Sequence, residues 1–343
     1  MPSVLESLNS ALHQAFSDDS HVYLLGEDIL DPYGGAFKVT RGLSTRFPER
    51  IMTTPISEAG IVGVAAGMAL RGLHPVVEIM FGDFVTLIAD QLINHIAKFR
   101  WMYNDQVRVP LVIRTPMGGR RGYGPTHSQT VEKLYLGIPG LMVVAPAAFC
   151  LEDGSGGPGA LLYHSILHND YPTLFIENKL QYLLPVQKPE DLKDFKLSSY
   201  PIKVNSGFPT YKLTIKGAPP ASMTIAAYGY MAELAKQAVS RLAYEHEIFA
   251  ELVVPTQLSP YEIDPILTST NQTGSLLVVE EGTLTLGWGS EVIARIAEAA
   301  GIQHRNLKRL AAKEVPVASS GPLEAQILPG VEQIIQSALR MVQ

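Results

Sequence analysis

The sequence predicts an α/β protein with two domains, each organised around a parallel sheet. Apolar runs with the length of buried strands alternate along the chain with segments whose apolar residues recur at helical spacing. This alternation is typical of parallel sheets whose two faces are covered by helices. A chain of 343 residues is also long enough for about two domains.

The first domain is expected to cover residues 1–185. It opens with an amphipathic helix pattern, MPSVLESLNSALHQAF, and continues with the predicted strands HVYLLGEDI, VVEIM, VPLVIRTP, LMVVAP and TLFIEN. A further helix is predicted over VTLIADQLINHIAKFRWMY. A shift to Lys, Pro and Ser predicts an interdomain linker over 186–220. Strands and helices alternate again from MTIAAYGYMAELAKQAVSRLA onward, which predicts a second domain over 221–343.

Two glycine-rich stretches depart from this alternation. The run EDGSGGPG falls where a strand should lead into a helix, and its glycines exclude regular helix, so we interpret it as a surface insertion. The run GTLTLGWGSE in the second domain lacks the Gly-Lys-Ser/Thr ending and the G-x-G-x-x-G order of phosphate-binding loops. We therefore interpret it as a turn that fixes the packing of a strand on a helix.

Charge and cysteine content exclude several classes of protein. A net charge of −6 and the lack of a Lys/Arg block argue against nucleic acid as a partner. A single cysteine, Cys150, excludes an intrachain disulfide and a cysteine zinc cluster, and it indicates a reducing compartment. Apolar runs stay shorter than the roughly 18 residues of a membrane-spanning helix, and the N-terminus has the pattern of neither a secretory signal nor a transit peptide. We expect a cytoplasmic location.

One predicted helix carries the first candidate for chemistry. Pro55 disfavours the α conformation in the residue before it and Ser57 is a good N-cap, so a helix should begin at Ser57 or Glu58. Its Gly- and Ala-rich sequence would allow a neighbouring group, in the core or in a ligand, to approach very closely. Glu58 would lie at the positive end of the helix, where an ionised carboxylate is favoured. This residue either caps its own helix or takes part in chemistry.

A histidine is the second candidate. His127 lies in the glycine-rich loop after VPLVIRTP, and the strand after the Glu58 helix leads to Asp83 and Phe84. A carboxylate and a histidine from neighbouring strand ends can form an acid/base pair, because their surroundings can bring both pKa values near neutrality. The alternative is a loop histidine bound to backbone. Glu27 and Asp83 can line the same cleft or cap backbone amides, and no His or Cys spacing indicates a metal site.

Motifs along nearly the whole chain carry a resemblance to a known family. In chain order they are GEDI, YGGAFKVTRGL, TTPISEAGIVGVAAGMAL, EIMFGDF, GPTHSQT, PGLMVVAP, VVEEG and GWGSEVIARI. Together they resemble the β subunits of thiamine-diphosphate-dependent 2-oxo acid dehydrogenases, which include the pyruvate, branched-chain 2-oxo acid and acetoin dehydrogenase components. The resemblance implies a transketolase-like pyrimidine-binding domain followed by a transketolase C-terminal-like domain.

The resemblance also implies a role for each candidate residue. Glu58 would be a catalytic carboxylate that hydrogen-bonds the ring nitrogen of the cofactor's aminopyrimidine, and Phe84 would stack on that ring. Ile56 would form an apolar wall beside it. His127 would be the active-site histidine that serves acyl transfer to a lipoyl group. Glu27 would be a further cofactor-side acid of the cleft.

Other features of the family are missing from the sequence. The Gly-Asp-Gly stretch with a downstream Asn, which holds the diphosphate and Mg²⁺, is absent, and in this family it lies on a separate α subunit. We therefore expect an α₂β₂ heterotetramer in which the partner supplies the metal site, acting on a small 2-oxo acid. EDGSGGPG stands where relatives run directly into a helix near a bound structural cation, so we do not assign that cation site to this chain. KEVPVASSGPLE differs from the pattern used to dock a lipoyl acyltransferase, which leaves that partner open.

Two alternative functions remain open at this stage. The first is a subunit of a thiamine-diphosphate-dependent ligase that forms acyloins in the manner of transketolase. The second is a catalytically silent scaffold. Arg120 and Arg121, next to the His127 loop, could meet a substrate carboxylate, a lipoyl domain or only solvent.

Overall fold

The structure of the protein is a computed structural model that describes residues 1–200, 208–300 and 306–342. Within these ranges the strands are β1 Val22–Gly26, β2 Ile51–Thr53, β3 His74–Glu78, β4 Val112–Met117, β5 Met142–Val144, β6 Thr173–Asn178, β7 Phe195–Ser199, β8 Thr210–Ile215, β9 Met223–Ala227, β10 Ala250–Pro255, β11 Gln257–Ser259, β12 Ser275–Thr283 and β13 Asn306–Ala312. The helices are α1 Val4–Asp18, α2 Leu43–Arg46, α3 Glu58–Leu70, α4 Phe99–Met102, α5 Pro158–Leu167, α6 Gly229–His246, α7 Asp264–Thr273, α8 Trp288–Ala300, α9 Gly321–Ile327 and α10 Val331–Val342.

The first sheet has seven strands in the order β11-β5-β6-β4-β3-β1-β2. All its pairings are parallel except that of β11 with β5, and β11 comes from the second half of the chain. The carboxyl ends of β1, β2, β3, β4 and β6 therefore lie along one edge. In open sheets of this kind that edge is where ligands bind. The predicted parallel-sheet domain is confirmed.

The second sheet has six strands in the order β13-β12-β9-β10-β8-β7. Its first four strands are parallel, and β8 and β7 are added antiparallel at one edge. Buried side chains of the second half, such as Tyr228 and Trp288, pack in the same core cluster as residues of the first sheet, such as Ile113. The two sheets therefore share part of their core. No described helix is long and apolar enough to cross a membrane.

The segment 186–220, predicted as an interdomain linker, is partly built into the second sheet. It contains β7 and β8, whose alternate residues Phe195, Leu197, Tyr211 and Leu213 are buried in the second core cluster. The sequence pattern did not indicate these strands, because Lys, Pro and Ser residues occupy the less buried positions and the turns between the apolar residues. Residues 201–207 lie outside the described residues. The proposed limits of the two domains stay a prediction.

Helix α3 begins at Glu58, as predicted, with Ser57 at the N-cap position, where its side chain makes no capping hydrogen bond. One face, including Ile61 and Ala65, is buried in the core. The other face is exposed, and a Cβ added at Gly63 or Gly67 would meet nothing within 4 Å in the described chain. The close approach that the glycines predict is therefore not made by any described part of this chain.

Two further segments differ from their predictions. The stretch predicted as one long helix is a series of short 3-10 and π turns over Gly82–Lys98, followed by α4, so its helical spacing does not become one regular helix. The EDGSGGPG run is only partly a surface insertion. Its last two residues, Pro158 and Gly159, begin α5, and the amide of Gly159 donates to Ser7 Oγ of α1 at 3.1 Å.

Three buried glutamates lie where the two halves of the chain meet. Tyr228 donates its hydroxyl hydrogen to Glu132, Gly289 N–H donates to Glu280 at 3.0 Å, and Gly119 N–H donates to Glu281 at 2.7 Å. Burial is the main cause that raises the pKa of Glu280 to about 8, and the nearby charge of Glu132 adds to it. Burial also raises the pKa of Glu132.

The raised pKa makes Glu280 a source of pH-dependent stability. The folded chain keeps this carboxyl protonated up to a pH of about 8, whereas the unfolded chain releases the proton near the ordinary glutamate pKa of 4.5. Unfolding then releases a proton between these two values, so the free energy of unfolding should fall with rising pH by up to about 1.4 kcal/mol per unit. Glu280→Gln should flatten this slope and make the variant the more stable protein near pH 8.

Urea unfolding of the wild-type and Glu280→Gln chains between pH 5 and 8.5 measures the effect. Glu298→Gln, at an exposed position of α8, is the control and should keep the wild-type slope. Equal slopes in the wild type and Glu280→Gln would show that Glu280 is ionised in the folded protein.

Candidate active site

The predicted site residues lie along one edge of the first sheet. Glu27 directly follows β1, and Glu58 begins α3 a few residues after β2. Phe84 follows β3, and His127 lies in the loop that leaves β4. Because these strands are parallel, their carboxyl ends place all four residues on the same side of the sheet.

Glu58 and Glu27 form the first group at this edge. The side chain of Glu58 is only 7% exposed, and no hydrogen bond to its carboxylate is found among the described residues. Burial raises the pKa of Glu27, the charge of Glu58 raises it further, and one oxygen of Glu27 is buried without a partner. A buried acid at a helix N-terminus with unused oxygens can exchange a proton with a polar group of a ligand.

Aromatic side chains around His127 form the second group. The ring centroid of His127 lies 4.7 Å from that of Phe81 and 5.4 Å from that of Phe84, both edge to face. Phe81 also contacts the rings of Phe37 and Tyr123. The imidazole is therefore held against two phenyl rings, and Thr126 Oγ1 lies 3.0 Å from its Nδ1.

The loop that carries His127 is tied down by side chains from two strand ends. Asp83 Oδ1 accepts hydrogen bonds from the backbone and side-chain N–H groups of Gln129, at 3.3 and 2.8 Å. Lys179, directly after β6, donates to the backbone oxygen of His127. Asp83 thus holds the loop, which is the capping role that the sequence left open. Sequence reasoning missed Lys179, since a lysine at the end of a strand carries no pattern that marks it as buried.

Helix α3, which begins with Glu58, packs in the same core as the turn Gly82–Ile88, which carries Phe84. Ile56, the predicted apolar wall, is 85% exposed. The Ile56 side chain is therefore available to a ligand or to another chain.

The two arginines beside the loop differ in their surroundings. Arg120 donates to the backbone oxygen of Pro329 at 2.5 Å and lies 3.8 Å from Glu281, while its own backbone N–H donates to Glu324. Arg120 therefore joins the loop to the second half of the chain. Arg121 is exposed and stays available to a negatively charged group.

The residues present fit one half of the implied cofactor. The unpartnered oxygen of Glu27, the buried carboxylate of Glu58 and the ring of Phe84 are groups of the kind that bind an aminopyrimidine by hydrogen bonding and stacking. Within the described ranges, no group of three or more His, Cys, Asp or Glu side chains could hold a metal ion. The diphosphate and its cation would need ligands from elsewhere.

Two α/β domains with mostly parallel sheets, in this order, are the architecture of transketolase-type proteins. Two family models match the chain: "Transketolase, pyrimidine binding domain" over residues 1–182 and "Transketolase, C-terminal domain" over residues 217–334. The chain belongs to the β subunits of the thiamine-diphosphate-dependent 2-oxo acid and acetoin dehydrogenases. The resemblance read from the motifs is thereby confirmed.

A pyruvate dehydrogenase β subunit and an acetoin oxidoreductase β subunit are both similar to this chain over most of their length. The mitochondrial pyruvate dehydrogenase E1 component subunit beta-2 of Oryza sativa subsp. japonica is 34% identical, with 98% of this chain and 85% of the relative covered. The β subunit of acetoin:2,6-dichlorophenolindophenol oxidoreductase from Bacillus subtilis is 32% identical, with 99% and 97% covered. A solved structure described as a split gene transketolase, an inactive beta4 tetramer, matches with a TM-score of 0.75 and 19% identity over 100% of this chain and 99% of that one, which shows the shared fold.

Proposed function

We propose that this chain is the β subunit of an enzyme that oxidatively decarboxylates a small 2-oxo acid and transfers the acyl group to lipoamide. The observation that carries the proposal is the nearly buried Glu58 carboxylate, which starts a helix at the ligand edge of the sheet and has no hydrogen-bond partner among the described residues. Such a group can hold a proton on a nitrogen of a bound heterocycle. The relatives that include a pyruvate dehydrogenase subunit support this substrate class.

Each site residue has a distinct task in this proposal. Bound thiamine diphosphate supplies the electron sink for decarboxylation. Glu58 shares a proton with the pyrimidine nitrogen, and Glu27, whose pKa is raised by burial and by Glu58, can keep a proton beside it. Phe84 and Ile56 give the ring apolar faces, and His127 donates to the acyl group as it passes to lipoamide.

An α subunit would complete the site, and an α₂β₂ heterotetramer is part of the proposal. The exposed side chain of Ile56 and the uncovered face of α3 at Gly63 and Gly67 support a close contact with another chain. The relatives are themselves named as β subunits, which implies an α partner. That partner would hold the diphosphate and Mg²⁺. The cytoplasmic location is also proposed, and the buried free thiol of Cys150 supports it.

Acetoin is the alternative substrate that a specific observation favours, because one relative is named for it. The competing acyloin-forming reaction would use the same Glu58 and differs only in its acceptor. Turnover of pyruvate, branched-chain 2-oxo acids and acetoin, each with lipoamide, an aldehyde or dichlorophenolindophenol as acceptor, separates these functions. A strict requirement for an aldehyde would exclude the dehydrogenase.

Dependence on the partner is the direct test of the assembly. The purified chain, with thiamine diphosphate and Mg²⁺ added, should bind the cofactor weakly and show no turnover, because the described residues contain no metal site. Mixing with the α subunit of the same organism should produce both tight binding and activity, measured by calorimetry and by dichlorophenolindophenol reduction. Decarboxylation by the isolated chain would contradict the proposed assembly.

A further inference from the structure

Lys179 lies beside the start of the His127 loop. Its backbone N–H donates to Met117 O at 3.1 Å, which places it next to the last residue of β4, where the loop begins. Its side chain is fully buried, with 0% exposure, and its ammonium group donates to the backbone oxygen of His127. A buried ammonium group needs an acceptor, since leaving it unpaired costs more than a hydrogen bond normally contributes.

Aromatic rings surround the same ammonium group. Its nitrogen lies 5.3 Å from the ring centroid of Phe81 and 5.6 Å from that of Tyr123, distances at which cation–π attraction operates. Tyr123 belongs to the His127 loop, and Phe81 lies just after β3, directly before the turn Gly82–Ile88. Lys179 therefore contacts the loop at two points and the ring against which His127 packs at a third.

We propose that Lys179 is a positioning residue of the proposed active site, which fixes the His127 loop so that the imidazole stays against Phe81 and Phe84. This inference rests on the proposed function for its catalytic consequence, although the contacts themselves do not. Losing the ammonium group would release the carbonyl of His127 and the ring of Tyr123 together. A shift of about 1 Å in a reacting group can cost about a hundredfold in rate.

The surroundings of Lys179 make its hydrogen bond and cation–π contacts to the loop depend on pH. Burial lowers the pKa of Lys179 to about 8, and the positive charge of Arg121 also lowers it. The negative charges of Asp83, Glu281 and Glu324 act in the opposite direction and only partly offset this shift. No carboxylate among the described residues forms a salt bridge with this ammonium group. Above pH 8 the neutral amine donates a weaker hydrogen bond and loses its attraction to the rings. The loop should therefore loosen as pH rises through this value.

Hydrogen–deuterium exchange of the peptide covering 118–130, followed by mass spectrometry, tests the inference without cofactor or activity. Lys179→Met should raise exchange of this peptide about tenfold over the wild type. Lys236→Met is the matched control, because Lys236 is also nearly buried, lies 5.3 Å from the ring of Phe149, and donates to Gln187 at 2.6 Å outside the site. Lys236→Met should leave the exchange of the 118–130 peptide at the wild-type level.

The wild-type chain gives a second route if Lys179→Met fails to fold. After correction for intrinsic exchange rates, the 118–130 peptide should lose protection between pH 7 and 9, while the peptide around Lys236 should not. Unchanged protection of 118–130 in the variant, or across this pH range in the wild type, would overturn the inference.

Kinetics of the complex with the α subunit then test the catalytic consequence. Lys179→Met should lower kcat by tenfold to a hundredfold with little change in the KM for the 2-oxo acid. Lys179→Arg, which stays charged, should restore part of kcat and lose the alkaline decline near pH 8. A kcat within twofold of that of Lys236→Met would overturn the positioning role. If the wild-type complex were inactive on every substrate, the proposed function would be contradicted instead. Hydrogen–deuterium exchange of the 118–130 peptide would then still test whether Lys179 holds the His127 loop.

Discussion

Glu58→Gln should lower the kcat/KM of the assembled enzyme by about 10²- to 10⁴-fold, the range for loss of a positioned acid or base. The amide has nearly the same size and can still hydrogen-bond, so the helix start and the local packing should persist. It cannot share a proton with a heterocyclic nitrogen, however. Because Glu58 is only 7% exposed, water is poorly placed to replace it.

The measurement is steady-state turnover in the complex with the α subunit, paired with calorimetric titration of thiamine diphosphate. Cofactor affinity should weaken far less than turnover, since stacking and the contacts of the partner chain remain. Glu49→Gln, at an exposed position near the same sheet, removes an equal charge and should be silent in both assays. Activity of Glu58→Gln within threefold of the wild type would remove this residue from the mechanism and favour the scaffold alternative.

The sequence was sufficient for the start of α3 and for most strands of the first sheet. Pro55 and Ser57 are local signals, and a strand buried on both faces appears as a continuous apolar run that needs no tertiary information to recognise. The shared edge of the sheet on which Glu27 and His127 lie follows from the parallel order of these strands. It could therefore be inferred before any contact was known.

Other features depend on contacts between distant segments. The burial of Lys179 requires Phe81 and Tyr123 to close over it, and neither lies near it in sequence. Strands β7 and β8 alternate buried and less buried residues only over a few positions. The polar composition of the segment therefore predicted a linker instead of two strands.

A second hidden feature is a buried group of charges across three neighbouring strands. Arg114 of β4 donates to both oxygens of Glu177 of β6, at 2.8 and 2.5 Å, and also to Glu78 of β3. Tyr182 adds a hydrogen bond to Glu177 at 2.6 Å. Burial disfavours the charged guanidinium, but Glu177 and Glu78 outweigh it and raise the pKa of Arg114. All three charged side chains are almost fully buried.

Arg114→Met should destabilise the chain by about 3–5 kcal/mol, because it leaves two buried carboxylates without their common cation. Urea unfolding at pH 7 measures the loss. Arg241→Met is the matched control: Arg241 also pairs with two glutamates, Glu245 and Glu332, but on the surface, where solvent screens the pairs. Lower pH should reduce the difference for Arg114→Met, since burial already raises the pKa of Glu78 and protonation removes the unpaired charge. Equal, small effects in both variants would mean that the buried carboxylates are neutral in the folded wild-type protein, and that Arg114 contributes packing and not charge.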